Sequence, residues 1–191
     1  MQIVKEFSKR REKEAIALLK ELDLKNKITE FGEIFISGSV KHHMVIKPDI
    51  DLIIITKKTG DTLKILDNYF DSDKNMVRKW VENRKSLGGK SIHIFYKDKI
   101  IWKLDILIVN KKIKDKYEKL NKASLEKRMR ILKLKYHFYK KKLKLPSLST
   151  HIYDAVISDF ADDIQSFYDY LKKLGITKKD FKKDSWEKEL K

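Results

Sequence analysis

The chain has 191 residues, 41% of them hydrophobic and 38% charged, with no cysteine and a formal net charge of +17. That profile fits one packed domain, or one with an appendage, and not a disordered chain. It excludes a disulfide framework, thiol chemistry and cysteine-ligated zinc. No apolar run approaches the ~18 residues of a spanning helix, and "MQIVKEFSKRREKE" lacks the apolar stretch of a signal peptide. A soluble, cytoplasmic protein with no membrane partner is expected.

Val4, Phe7, Ala15, Leu18 and Leu22 recur at helical spacing, so the sequence predicts an amphipathic helix over residues 2–23. "GEIFIS" reads as a short strand entering a Gly38-Ser39 turn, and "DIDLIIIT" as a second, more buried strand. "DTLKILDNYF" predicts a helix with Asp61 as its N-cap, and "DKNMVRKWVENRK" also reads as helical. After "GGK", the segments "SIHIFY" and "IIWKLDILIV" flank the turn-like "KDK" and predict a β-hairpin. From about residue 113 the pattern is helical only. Leu125, Met129, Leu132, Tyr136, Tyr139 and Leu143 mark one face of a long helix. "LPS" breaks it, Thr150 is the expected cap of the next helix, and Phe160, Ile164, Phe167 and Leu171 mark another. The division is thus an α/β portion, 1–112, followed by a basic helical portion, 113–191.

The positive charge is concentrated. Residues 111–145 hold 15 Lys/Arg and 3 Asp/Glu, whereas residues 150–170 hold five Asp and no Lys or Arg. A basic block of this kind attracts phosphate polyanions through Coulomb attraction and counterion release, so nucleic acid, RNA or DNA, is the expected partner. Lys127, Arg128, Arg130, Lys133 and Lys135 are candidate contacts within it, and Arg84, Lys85 and Lys90 are candidates outside it. The acidic stretch around Asp159, Asp162 and Asp163 is expected to pair with the basic helix or face water.

Asp49 and Asp51 stand two apart at the start of an apolar strand, so both side chains leave one face while Ile50 and Leu52 leave the other. Carboxylates this close repel unless a cation lies between them. Mg²⁺ suits that position, since it takes oxygen ligands from one or two carboxylates and substrate phosphates. Asp105, interrupting the apolar "WKLDILIV", is the candidate third carboxylate of a two-metal clamp. Separated from Asp49 by nine residues, the Gly38-Ser39 turn offers a close backbone approach and N–H groups for a triphosphate.

The order "GS", "DID", apolar run and later strand Asp resembles the signature of the DNA polymerase β superfamily of nucleotidyltransferases, over about residues 31–110. The resemblance implies the nucleotidyltransferase fold, an α/β (α+β) arrangement with a mixed sheet flanked by helices. It also implies transfer of a nucleoside monophosphate from an NTP or dNTP, dependent on two Mg²⁺ or Mn²⁺ ions. By it, Asp49 and Asp51 hold both metals, Asp105 holds the one that activates the attacking hydroxyl, and Gly38 and Ser39 meet the β/γ-phosphates. His42 and His43, in the turn between, are further candidate nucleotide contacts. The layout is closest to the palm of family X DNA polymerases, with a template-independent terminal or tRNA nucleotidyltransferase as the other nucleic-acid reading. Two further functions stay open: modification of a protein side chain or small molecule, and a non-catalytic nucleic-acid-binding module.

Overall fold

The computed structural model describes residues 2–84, 87–111 and 118–184. It contains two compact units, Lys9–Lys114 and Met1–Ser8 with Asp115–Lys191. The opening helix, α1 (Gln2–Leu22), runs through that division. The sequence alone placed all of it in the α/β portion.

In the first unit, α2 (Leu24–Ile28) leads to β1 (Glu33–Ser37), the short α3 (Gly38–Lys41) and β2 (Asp49–Ile55). Then come α4 (Thr59–Asp71), β3 (Met76–Arg84), β4 (Gly89–Lys97) and β5 (Ile101–Val109). The five strands form one mixed sheet in the order β1-β2-β5-β4-β3, with β2 and β5 parallel and the other neighbours antiparallel. This is the mixed sheet flanked by helices that the sequence implied. Period-two alternation divides its faces. Ile50, Leu52, Ile54, Ile92, Ile94, Leu104, Ile106 and Ile108 are fully buried and form one core cluster with Leu18 and Leu22 of α1 and Leu66 and Phe70 of α4. Burying that area is the main favourable term in the unit.

Residues 76–84 form an edge strand, not the helix expected. Val77, Trp80 and Val81 match a helical stripe, but they equally suit a pleated strand, and β4 supplies the ladder. An Asp73–Asn75 turn, closed by the Asn75 N–H on Asp73 Oδ1 at 2.9 Å, starts it, and a register shift lies between Met76 and Arg78. On the helix side, Lys79 binds Asp67 and, at 2.7 Å, Asp71 of α4. That helix starts at Thr59, which puts Asp61 in its first turn instead of at the cap.

The second unit holds a 3₁₀ turn (Glu118–Lys122), α5 (Leu125–Lys140), α6 (Leu148–Ile157) and α7 (Ile164–Lys173). Two short strands, β6 (Leu143–Lys144) and β7 (Lys182–Lys183), pair antiparallel and qualify the all-helical expectation. Ser124 caps α5 by accepting the Lys127 N–H, and Asp163 forms a capping box with Ser166 on α7. Phe138 is fully buried against Phe167, Tyr168 and Phe181. Tyr136 and Tyr139 are half-buried against Phe7. Leu125 is exposed and not part of the apolar face, Phe160 is exposed and stacks on Tyr170, and α6 is preceded by Ser147, three positions before the expected Thr150.

Candidate active site

The sheet register assembles the site. Ser37 pairs with Asp51, Asp51 with Asp105, Asp105 with His93, and His93 with Trp80, so these five residues form a row across all five strands. Asp49 and Lys103 form the adjacent pair. Asp51, Asp105 and His93, the centre of the row, lie on the face opposite the apolar core, because each is flanked along its strand by buried aliphatic residues. Although 54 positions separate Asp51 from Asp105, Asp49, Asp51 and Asp105 each offer a carboxylate oxygen within 4.8 Å of the others.

The charges of the site are unevenly balanced. Burial, followed by the charges of Asp51 and Asp105, pushes the Asp49 carboxyl well above its ordinary value despite Lys103 and Lys47 nearby. Part of the residue reaches the surface, yet its Oδ1 is buried with no hydrogen-bond partner. Burial also opposes the charge on Asp105, but there the hydrogen bonds prevail and its pKa is lowered. His93 Nδ1 lies 2.6 Å from Oδ1 and Lys103 Nζ 2.5 Å from Oδ2. Lys103, working against its own burial, is held above the usual lysine value by Asp105, Asp49 and Asp51. Two lysines against three carboxylates leave an excess of negative charge. Together with the orphaned Asp49 oxygen, an all-oxygen donor set of this kind fits a hard divalent cation.

Gly38 opens the α3 turn with φ +57°, in the left-handed region. A Cβ there would stand 2.7 Å from Asp51 Cγ and closer still to its carboxylate oxygen. The glycine is required twice, by the backbone conformation and by the approach to Asp51. Ser39 follows it in the same turn and is largely buried. His42 is also buried, with 1% of its surface exposed. His43 is exposed at φ +58°, its Nδ1 2.6 Å from Glu12 Oε1.

The remaining sequence candidates lie elsewhere. Lys90 pairs in register with Ile108, on the sheet face opposite the carboxylates. Arg84 binds Ser91 and Glu82. Lys85 and residues 112–117 of the basic block fall outside the described residues. Within the helical unit, Lys127 binds Asp159 at 2.7 Å, and Arg130 binds Glu126 at 2.5 Å and Asp162 at 3.6 Å. Arg128 donates to the carbonyls of Leu120 and Ala123, and Lys135 Nζ, buried, to Tyr153. Lys133, Lys140 and Lys141 are exposed. His93 and Lys103 were missed by sequence reasoning, although the alternation that finds Asp105 also puts Lys103 on its face.

Two outcomes follow from this geometry. Gly38→Ala should cost about 1–2 kcal/mol through its left-handed backbone. It should also suppress any rise in Tm on adding Mn²⁺, because the new methyl displaces the Asp51 carboxylate; melting with and without Mn²⁺ measures both. In EDTA at pH 7, Asp49→Asn should raise Tm by about 2–4 °C, the shift that ~1 kcal/mol gives at this size. A carboxyl with raised folded pKa stabilises the fold below its unfolded pKa, and loses that contribution as pH rises through the folded value. The advantage of the Asn variant should therefore shrink as pH falls towards the ordinary aspartate value of 3.8, as a pH series of melts would show.

No protein-family model matches the chain, and no curated protein sequence matches it. Solved structures do. A cytoplasmic RNA terminal U-transferase matches with a TM-score of 0.56 at 18% identity, over 74% of this chain and 46% of its own. The Cid1 poly(U) polymerase with Mg and 3′-dATP bound matches with a TM-score of 0.55 at 19% identity, over 81% and 51% of the two chains. A mutant of Cid1 bound to MgATP gives 0.61 at 18% identity, over 87% and 56%. The present chain spans about half the length of these enzymes. At such identities the likeness is one of fold, and the fold is that of the nucleotidyltransferases.

Proposed function

We propose that the protein is a metal-dependent nucleotidyltransferase that adds nucleoside monophosphates to the 3′ end of a nucleic acid, without a template and with RNA as the favoured acceptor. The observation that carries this reading is the convergence of Asp49, Asp51 and Asp105 beside a turn that admits only glycine. The fold shared with an RNA terminal U-transferase and a poly(U) polymerase supports it. So does the net charge of +17, which suits a polyanionic acceptor better than a small neutral one.

In this reaction the acceptor hydroxyl loses its proton, its oxygen forms a bond to the α-phosphorus, and the bond from that phosphorus to the bridging β-oxygen breaks, releasing pyrophosphate. Asp49, Asp51 and Asp105 would hold the cations, which supply charge neutralisation at the phosphates and acidify the attacking hydroxyl. Lys103 and His93 keep Asp105 ionised as a ligand. The Gly38-Ser39 turn, packed against Asp51, would offer its backbone N–H groups to the terminal phosphates. The buried aliphatic face beneath fixes the strands on which all three carboxylates ride.

The test is incubation with each labelled NTP and dNTP, Mg²⁺ or Mn²⁺, and an RNA or a primed DNA. Wild type should lengthen the RNA from its 3′ end. Asp51→Asn should abolish transfer with Tm unchanged or raised in EDTA, since one of three repelling carboxylates is neutralised. Label appearing on protein or on a small acceptor, with no extension of either nucleic acid, would sink the proposal. Acceptor affinity should fall with salt, each phosphate contact on a single strand adding about −0.7 to the log–log slope. Replacing Lys133, Lys140 and Lys141 together with Gln should flatten that slope by up to about 2. These lysines are chosen because Lys127 and Arg130 already hold acidic partners. An unchanged slope would place the acceptor on another surface.

A further inference from the structure

We infer that His93 is a positioning residue that fixes the Asp105 carboxylate in the orientation required to share a cation with Asp49 and Asp51. This rests on the metal-dependent reading above and adds a residue to it.

His93 lies at the middle of β4, in register with Asp105, with 6% of its surface exposed. Its Nδ1 is 2.6 Å from Asp105 Oδ1. An ionised carboxylate only accepts hydrogen bonds, so Nδ1 carries the proton and donates it. The opposite side of the ring makes no comparable bond. Nε2 is buried without a hydrogen-bond partner, and Glu82 Oε2 stands off at 3.6 Å. Of the two carboxylates that the imidazole meets, Asp105 is the close one and Glu82 the distant one.

The ring is held from outside as well. The Trp80 indole stacks on it with centroids 4.8 Å apart and planes 18° from parallel. Trp80 is itself fixed: its Nε1 donates to Glu82 Oε1 at 3.3 Å, and the Arg78 guanidinium lies 5.6 Å from its centroid. Flat stacking blocks the rotation that would carry Nδ1 away from the carboxylate. The other oxygen of Asp105 is bound by Lys103 Nζ on a flexible stem. A lysine can follow the carboxylate wherever it turns, whereas a clamped imidazole cannot. His93 is therefore the partner that sets the angle, and Lys103 the one that supplies charge. Partners of this kind around ligating carboxylates typically change metal affinity about 10–100-fold when removed.

The test uses Mn²⁺ alone, titrated into the full chain and followed by the EPR signal of the free ion, with EDTA melts to check folding. His93→Asn keeps a donor near the position of Nδ1 and should hold Mn²⁺ within about threefold of wild type. His93→Gln moves the donor towards the position of Nε2, and His93→Leu removes it; both should weaken binding about 10–100-fold. If the Leu variant fails to fold, the Asn and Gln pair carries the comparison, since both place a neutral amide in the same space. Gln or Leu binding as tightly as wild type, or Asn binding as weakly as Gln, would overturn the role of His93. Asp51→Asn separates the two readings. If wild type binds Mn²⁺ and Asp51→Asn does not, tight binding by Gln or Leu refutes His93 alone. If wild type binds no Mn²⁺, the metal site and the inference fall together.

Discussion

The parallel pairing of β2 with β5 is the constraint on which the site depends. It sets Asp51 directly opposite Asp105 and brings together carboxylates that repel each other in the bare protein. What holds them is the other face of the same two strands. Ile50, Leu52, Ile54, Leu104, Ile106 and Ile108 are all buried, and at about 1.5–3 kcal/mol for each side chain their burial outweighs the repulsion above. The charged face is assembled by the apolar one, since moving the aspartates apart would require dismantling the core beneath them.

The three aspartates were legible in the sequence because each is an anomaly: a charge at, or inside, an aliphatic strand. Gly38 and Ser39 were legible through their place between two strands. His93 was not, because a histidine in "SIHIFY" breaks no pattern and its partner lies on another strand. Its role emerges only from the hairpin register, where Lys97 faces Ile101 and the pairing runs back to His93 opposite Asp105. The edge strand β3 was misread for a related reason. With one neighbouring strand and mixed exposure, it shows no clean alternation, and spacings of three and four among Val77, Trp80 and Val81 imitate a helix.

The basic block shows a different limit of sequence reasoning. Counting charges treats every lysine and arginine of residues 111–145 as available to a polyanion. The structure distributes them otherwise: Lys127 and Arg130 meet the acidic stretch at Asp159 and Asp162, Arg128 secures the turn before its own helix, and Lys135 is buried against Tyr153. The acidic run thus has a local purpose within the helical unit. The positive potential offered to a partner comes from a smaller set, with Lys133, Lys140 and Lys141 among its exposed members.

The β4–β5 hairpin has a consequence for how such a chain can vary over time. Its turn at Asp98–Ile100 is closed by the Asp98 N–H on the Ile100 carbonyl at 3.0 Å, and it fixes which residue of β4 meets Asp105. Adding or deleting one residue there would shift the pairing by one and exchange the two sides of a strand, pointing Ile92 or Ile94 at the carboxylates and His93 into the core. A shift of two would restore the faces but put Ser91 or Phe95 opposite Asp105, so a length change in this turn keeps His93 in place only where the loop itself or a bulge absorbs it. Drift in a surface loop, ordinarily the freest part of a protein, is here restricted by the register it sets.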